Sequence, residues 1–183
     1  EMYYEYHRGT YTSQARTKKN NRRSELAIRQ AEMLAAIATE RVGATYPYDE
    51  ILEAYKIILT NQFHDIIPGS SISAVYEDCE KDYARALGII QAIKDTAIDN
   101  LTSSSDAENI TVFNSLSWER CENVRAVLPK GFSNGTVVDQ WGNEVPSWLG
   151  DGSIEFEARV PALGSAIYKI VPKAPSVDMP ICI

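Results

Sequence analysis

Apolar positions along the chain fall into three helical stretches and then change period. From Ser24 and Glu25 a helical pattern runs through Leu26, Ala31, Leu34, Ala35 and Ala38 and stops near Gly43. A second begins around Pro47 and Tyr48, where proline suits a first turn. Its positions Tyr48, Ile51, Leu52, Tyr55, Ile58, Leu59 and Gln62 follow i, i+3, i+4, i+7, with only Gln62 out of character. Pro68 and Gly69 end that run. Ser70 or Ser71 is placed to cap a third helix, with Glu77, Asp78 and Glu80 early in it. Along this third stretch Ile72, Tyr76, Cys79, Tyr83, Ala86, Ile90, Ile93 and Ala97 alternate steps of four and three, an a/d seam. Such a seam spans roughly 45 Å at 1.5 Å per residue. Residues 1–19 show no sustained period, so the pattern predicts an antiparallel three-helix bundle over 20–103.

After the linker-like run Leu101–Glu108 the period becomes two. Residues 109–113, 124–128, 136–139, 154–160 and 166–171 read as strands, with a hairpin turn at Trp141-Gly142-Asn143-Glu144. Residues 104–183 are therefore expected to start an antiparallel β-sandwich, with sheets completed by residues beyond Ile183. The fold class is α+β, in more than one domain, without internal repeats.

Composition agrees with a soluble globular chain: 183 residues, 44% hydrophobic, 23% charged, net charge −7. The acidic balance argues against nucleic acid and anionic membrane as partners. Charge is uneven, since residues 1–30 hold seven Lys/Arg against three Asp/Glu. Arg16, Lys18, Lys19, Arg22 and Arg23 read as a phosphate-binding patch or, preferably, as a solvated helix approach or domain contact. Cys79, Cys121 and Cys182 form no CxxC pair. This fits neither a disulfide framework nor a thiolate zinc site, and points to a reducing, cytoplasmic compartment. No signal peptide or membrane span is visible. The sequence starts Glu1-Met2 and stops abruptly, as expected of a piece of something longer. Sequons at Asn100, Asn109 and Asn134 would permit glycosylation only in a secretory setting.

The candidate chemistry lies in Asn61-Gln62-Phe63-His64-Asp65-Ile66-Ile67-Pro68-Gly69-Ser70-Ser71. His64 has two readings: a helix-end histidine bonded to a terminal carbonyl, or a metal ligand, which requires the neutral ring. Asp65 either accepts backbone N–H groups in the following turn or accepts sugar hydroxyls. Zinc takes four ligands as a rule, and the chain has no HxH or HExxH, so most ligands of a metal at His64 must come from elsewhere. Trp118, Trp141 and Trp148 read as core or turn packing ahead of sugar stacking. Tyr76 and Tyr83 read as core, and Ser103–Ser105 as linker.

Residues 61–72 resemble the helix-turn signature of glycoside hydrolase family 38, the zinc-dependent α-mannosidases, in its bacterial and cytosolic-vacuolar branch. Two further stretches agree in order. Residues 5–22, Glu-Tyr-His-Arg-Gly-Thr-Tyr-Thr-Ser-Gln-Ala-Arg-Thr-Lys-Lys-Asn-Asn-Arg, resemble the segment leading from that family's catalytic domain into its helical middle domain. Residues 112–120, Val-Phe-Asn-Ser-Leu-Ser-Trp-Glu-Arg, resemble the first strand of its first β domain. The resemblance implies that residues 1–19 follow a catalytic α/β domain absent here. It also implies that His64 completes a zinc site, that Asp65 contacts bound mannose, and that His7 lies beside the sugar. The nucleophile and acid/base aspartates of a retaining mechanism would lie outside this chain, which would be inactive alone. Expected partners are a mannose-containing oligosaccharide, the rest of the polypeptide and a possible second copy. The rival readings are a helical oligomerisation module and a carbohydrate-binding module.

Overall fold

A computed structural model describes residues 8–102 and 109–174. The chain divides between Ser103 and Ser104 into two compact units. Among the described residues no helix is long and apolar enough to cross a membrane.

The first unit holds a short 3-10 turn at Arg8–Tyr11 and three helices: α1 (Ala15–Val42), α2 (Tyr48–Asn61) and α3 (Ser73–Thr102). Side-chain bonds set their directions. Tyr83 and Lys94 of α3 reach Asn21 and Gln30 of α1 in the same order, whereas Tyr55 of α2 and Gln62 just past its end reach Glu32 and Asn21 in reverse. This is an up-down-up bundle. Ile28, Ala31, Ala35, Ile51, Ala54, Ile58, Ala86, Ile90 and Ile93 form its core. The alanines leave room for close helix approach, and the isoleucines fill the layers between.

The seam expected on α3 is present from Tyr76 through Ala97, every member buried; only Ile72, just ahead of the helix, is exposed. On α1 and α2 the expectation needs correction. α1 starts at Ala15, nine residues before Ser24, within the stretch that shows no sustained period. Its first turns bury Thr17 and Ser24 rather than apolar side chains, so no hydrophobic period marks them. Leu26 is exposed, and the core takes Ile28 in its place. The helix ends as expected at Gly43, whose left-handed backbone (φ 71°) lets its own N–H reach the Thr39 carbonyl and the Ala44 N–H the Ala38 carbonyl. On α2 the buried row is Ile51, Ala54, Ile58 and Asn61, while Tyr48, Leu52 and Leu59 face outward. The face is turned so that Ala54 packs closely and Asn61 reaches Asp82 at 3.1 Å.

The Tyr55 hydroxyl donates to Glu32 Oε2 at 2.7 Å. That bond, followed by burial, pushes its pKa up to about 12. The folded state therefore holds this proton longer than the unfolded chain does. The associated stability is complete below the ordinary value of 10.0 and is lost as pH rises through about 12. Tyr55→Phe is expected to cost about 1 kcal/mol at neutral pH and to flatten part of the alkaline decline. Urea unfolding followed on either side of that window measures both, and an unchanged alkaline slope in the variant would refute the assignment.

The second unit is two antiparallel sheets. Its strands are β1 (Asn109–Phe113), β2 (Arg120–Val127), β3 (Thr136–Asp139), β4 (Glu144–Val145), β5 (Ser147–Gly150), β6 (Ser153–Val160) and β7 (Ser165–Val171). One sheet has the order β1-β7-β3-β4 and the other β2-β6-β5. Alternate residues of β6 and β7 fill the space between: Ile154, Phe156, Ala158 and Val160 meet Ala166, Tyr168 and Ile170. The Tyr168 hydroxyl donates to the Arg159 carbonyl and accepts the Arg159 N–H, tying the sheets at one end.

β2 begins four residues earlier than its alternation indicated, because Cys121, Glu122 and Asn123 are exposed on an edge strand. β4 and β5 escape the pattern because they are short and separated by Pro146. The hairpin turn expected at 141–144 lies one residue earlier, between Asp139 and Glu144, and is held by Asp139 Oδ1, which accepts the N–H groups of Trp141 and Asn143 at 2.9 and 2.8 Å. None of the tryptophans is core: Trp118, Trp141 and Trp148 are 59%, 77% and 59% exposed.

Candidate functional site

α2 stops at Asn61 and the chain folds back tightly before α3. The N–H groups of Ile66 and Ile67 donate to the Phe63 carbonyl at 2.8 and 3.0 Å, and that of Gly69 to the Ile66 carbonyl at 3.1 Å. Ser70 and Ser71 do not cap α3. Their hydroxyls donate instead to the Asp65 carbonyl, at 3.4 and 2.6 Å. Tyr76, in the first turn of α3, donates to the Ile66 carbonyl and accepts the Ser71 N–H. Ile66 packs on the buried cluster of Tyr76, Cys79 and Tyr83. The backbone between Phe63 and Ser71 is therefore anchored from below, and its polar side chains are left to face outward.

The segment at the start of α1 supplies a second wall. Lys18 Nζ donates to the carbonyl of Ser13, to that of Ile67 at 2.9 Å and to that of Pro68 at 3.4 Å. Burial lowers the Lys18 pKa. Gly69 has a φ of 98° and lies so close to Ser13 that a Cβ there would sit 2.6 Å from the Ser13 Cβ. An open hollow of about 600 Å³ results, lined by Gly9, Thr10, Ser13, His64, Asp65, Pro68, Gly69 and Ser70.

His64 and Asp65 stand on its rim with side chains 78% and 63% exposed. His64 Nε2 lies 3.5 Å from Asp65 Oδ2, and its ring centroid is 4.2 Å from that of Phe63, tilted by 42°. The helix-end carbonyl bond weighed for His64 is thus replaced by contact with Asp65. The turn uses the carbonyl of Asp65, leaving the carboxylate at the surface. His7 lies outside the described residues, as do Ser103–Ser105 and Cys182. Gly9 and Thr10, just after His7, line the hollow shared by His64 and Asp65.

Beneath the rim lies a polar layer. Gln62 Nε2 donates to Asn21 Oδ1 at 2.8 Å and to Glu25 Oε1 at 3.1 Å, and the Tyr83 hydroxyl donates to Asn21 Oδ1 at 3.4 Å. Burial raises the Tyr83 pKa and keeps the phenol protonated. Buried Asn61 donates to the carbonyl of Ile57 and to Asp82. Of this layer only Gln62 was marked in the sequence, by breaking the apolar row of α2. Three members of the basic patch are engaged within the chain: Arg16 pairs with Glu80, Arg22 with Glu25, and Lys18 is committed to carbonyls.

Among the described residues no group of three or more His, Cys, Asp or Glu is arranged to hold a metal. An exposed imidazole with one carboxylate beside it suits a single ligand of a larger site, not a site by itself.

A family model described as the α-mannosidase middle domain matches residues 5–101, more than half of the chain and all but the last residue of the helical bundle. The chain belongs to the α-mannosidase middle-domain family. Among curated relatives it is 35% identical over 127 residues to an α-mannosidase of Saccharomyces cerevisiae, covering 68% of this chain and 12% of that protein. It is 32% identical over 142 residues to α-mannosidase 2C1 of Homo sapiens, covering 75% of this chain and 14% of that one. A solved glycosyl hydrolase family 38 protein from Enterococcus faecalis shares the fold with a TM-score of 0.78 at 18% identity, over 94% of this chain and 26% of that chain. A second structure, an α-mannosidase from the same species, gives 0.79 over 25% of its length. The chain thus spans about an eighth of these curated relatives. The expected α+β class, a helical middle domain followed by antiparallel sheets, agrees with the family and with these structural neighbours.

Proposed function

We propose that this chain is one wall of the active site of a zinc-dependent, retaining α-mannosidase that removes terminal α-mannosyl residues from glycans. The observation that carries the reading is the pair His64 and Asp65, presented outward on a turn anchored to two helices, in a chain of the α-mannosidase middle-domain family. The relatives' names supply the reaction class.

In this reading His64 is one zinc ligand through an imidazole nitrogen, with the remaining ligands from the rest of the polypeptide. Zinc, when bound, would supply a template and electrostatic hold for sugar hydroxyls. The Asp65 carboxylate accepts hydroxyl protons of the mannose ring, and its contact with His64 keeps the two groups on one rim. The nucleophile and the acid/base carboxylates are supplied by other parts of the protein, so this chain binds and orients rather than transferring protons. Cys79 and Cys121 as free thiols favour a cytoplasmic setting.

A full-length protein carrying this chain is expected to hydrolyse p-nitrophenyl α-mannoside, and residues 1–183 alone are expected to show no turnover. Steady-state assays of both, purified in parallel, test it. Turnover by the pure chain, or silence of the full-length protein with zinc supplied, would overturn the reading.

A further inference from the structure

We infer that Lys18 is a positioning residue: from the first turn of α1 its ammonium clamps the turn bearing His64 and Asp65 into its working shape. The inference rests on the mannosidase reading for its catalytic half and on geometry alone for its structural half.

The backbone accounting of the turn carries it. A carbonyl partly withdrawn from water is satisfied by whatever donor the fold brings to it, and Ile67 and Pro68 are half-buried. Inside the turn, the N–H groups of Ile66, Ile67 and Gly69 go to Phe63 and Ile66, and Pro68 has no N–H to give. The carbonyls of Ile67 and Pro68 therefore turn to Lys18, 49 and 50 residues away in sequence. The third donor of the ammonium goes to the Ser13 carbonyl. One side chain thus uses all three of its protons to join the two segments that line the hollow, Gly9–Ser13 and His64–Ser70.

The chemistry demands lysine. A compact ammonium directs three donors toward oxygens that converge on one point, whereas the planar fork of arginine spreads its donors in a plane. Methionine has similar length and no donor. Losing the clamp leaves Ile66 anchored on Tyr76 but frees the stretch from Ile67 to Gly69, next to the two site residues in sequence. A turn that samples several shapes holds His64 and Asp65 in the right place for a smaller fraction of the time, which lowers both metal retention and turnover.

Hydrogen exchange on residues 1–183 and kinetics on the full-length enzyme test this together. Lys18→Met is expected to speed exchange at the amides of Ile67 and Gly69 by about tenfold to a hundredfold, as loss of hydrogen bonds to a charged group implies. Amides at Ala31 and Ile90 in the middle of the bundle should keep their rates. In the full-length enzyme the same change should lower kcat/KM by about tenfold or more and speed zinc loss to a chelator. Lys18→Arg, which keeps the charge and guards against a variant that merely fails to fold, should fall between Met and the unaltered protein in both readouts. Unchanged exchange at Ile67 and Gly69 in Lys18→Met would overturn the clamp. Faster exchange with unaltered kcat/KM and zinc retention would overturn its role in the site. Silence of the unaltered full-length enzyme would overturn the mannosidase reading and the catalytic half with it, while the exchange result would still decide the clamp.

Discussion

Replacing His64 by alanine in the full-length enzyme is expected to lower kcat/KM toward an α-mannoside by more than about a hundredfold, since even partners that only orient a metal ligand cost ten- to a hundredfold when lost. Zinc content after dialysis should fall in parallel. Stability should barely move. The ring is 78% exposed, and its contacts are one carboxylate at 3.5 Å and the tilted ring of Phe63. An exposed pair of that kind is worth less than about 1 kcal/mol. The separation of the two effects makes the test sharp. Metal analysis showing full zinc occupancy in the variant would remove His64 from the ligand set. A large drop in unfolding midpoint would show instead that the ring supports the fold.

Gly69→Ala is expected to be the most damaging single methyl in the helical unit, at about 2–4 kcal/mol. Two penalties combine. The backbone there has φ 98°, which an L-residue adopts only under strain. The new Cβ would also sit 2.6 Å from the Ser13 Cβ and 3.1 Å from the Ser13 carbonyl carbon and oxygen. Backbone atoms held by the Lys18 clamp cannot step aside as the tip of a flexible side chain would. Gly43→Ala separates the penalties, because Gly43 also has a positive φ, 71°, and nothing within 4 Å of its added Cβ. That variant should cost only about 1–2 kcal/mol, the penalty of an L-residue in the left-handed region. Urea unfolding of the helical signal compares the two. Equal costs would mean that the contact with Ser13 gives way freely and that the two walls of the hollow are not pressed together.

Sequence patterns treat the elements of this chain unequally. The third helix was legible almost to the residue, because Tyr76, Cys79, Tyr83, Ala86, Ile90, Ile93 and Ala97 lie between two neighbours and must be apolar or aromatic on one line. The start of α1 was not, because its contacts are made by Thr17 and Ser24, and a small polar residue leaves no mark in hydrophobic periodicity. On α2 the sequence offered two apolar rows, and the longer side chains of Leu52 and Leu59 drew the face away from Ala54 and Asn61. Asn61 is buried only because Asp82 faces it. Strands β1, β3, β6 and β7 were read to within a residue, β2 was read with its start four residues late where it meets solvent, and β4 and β5, short and separated by Pro146, were missed.

For the site, the residue types and the Pro-Gly turn were visible in one run of eleven residues, and its resemblance pointed to a family that the middle-domain match then supplied independently. The sequence alone determined the three-helix bundle, the switch to antiparallel strands and the residue types of the polar pair His64 and Asp65. These follow from local order: side-chain period, turn-forming residues and neighbours on the chain. Only the tertiary structure decided that Lys18 is a clamp rather than part of an anion patch, that Gly69 is pressed against Ser13, and that Ser70 and Ser71 serve the Asp65 carbonyl instead of the helix they precede. The serine bonds are local but depend on a carbonyl that the turn leaves without a backbone donor. The clamp and the Gly69–Ser13 contact exist only when segments some fifty residues apart are brought together.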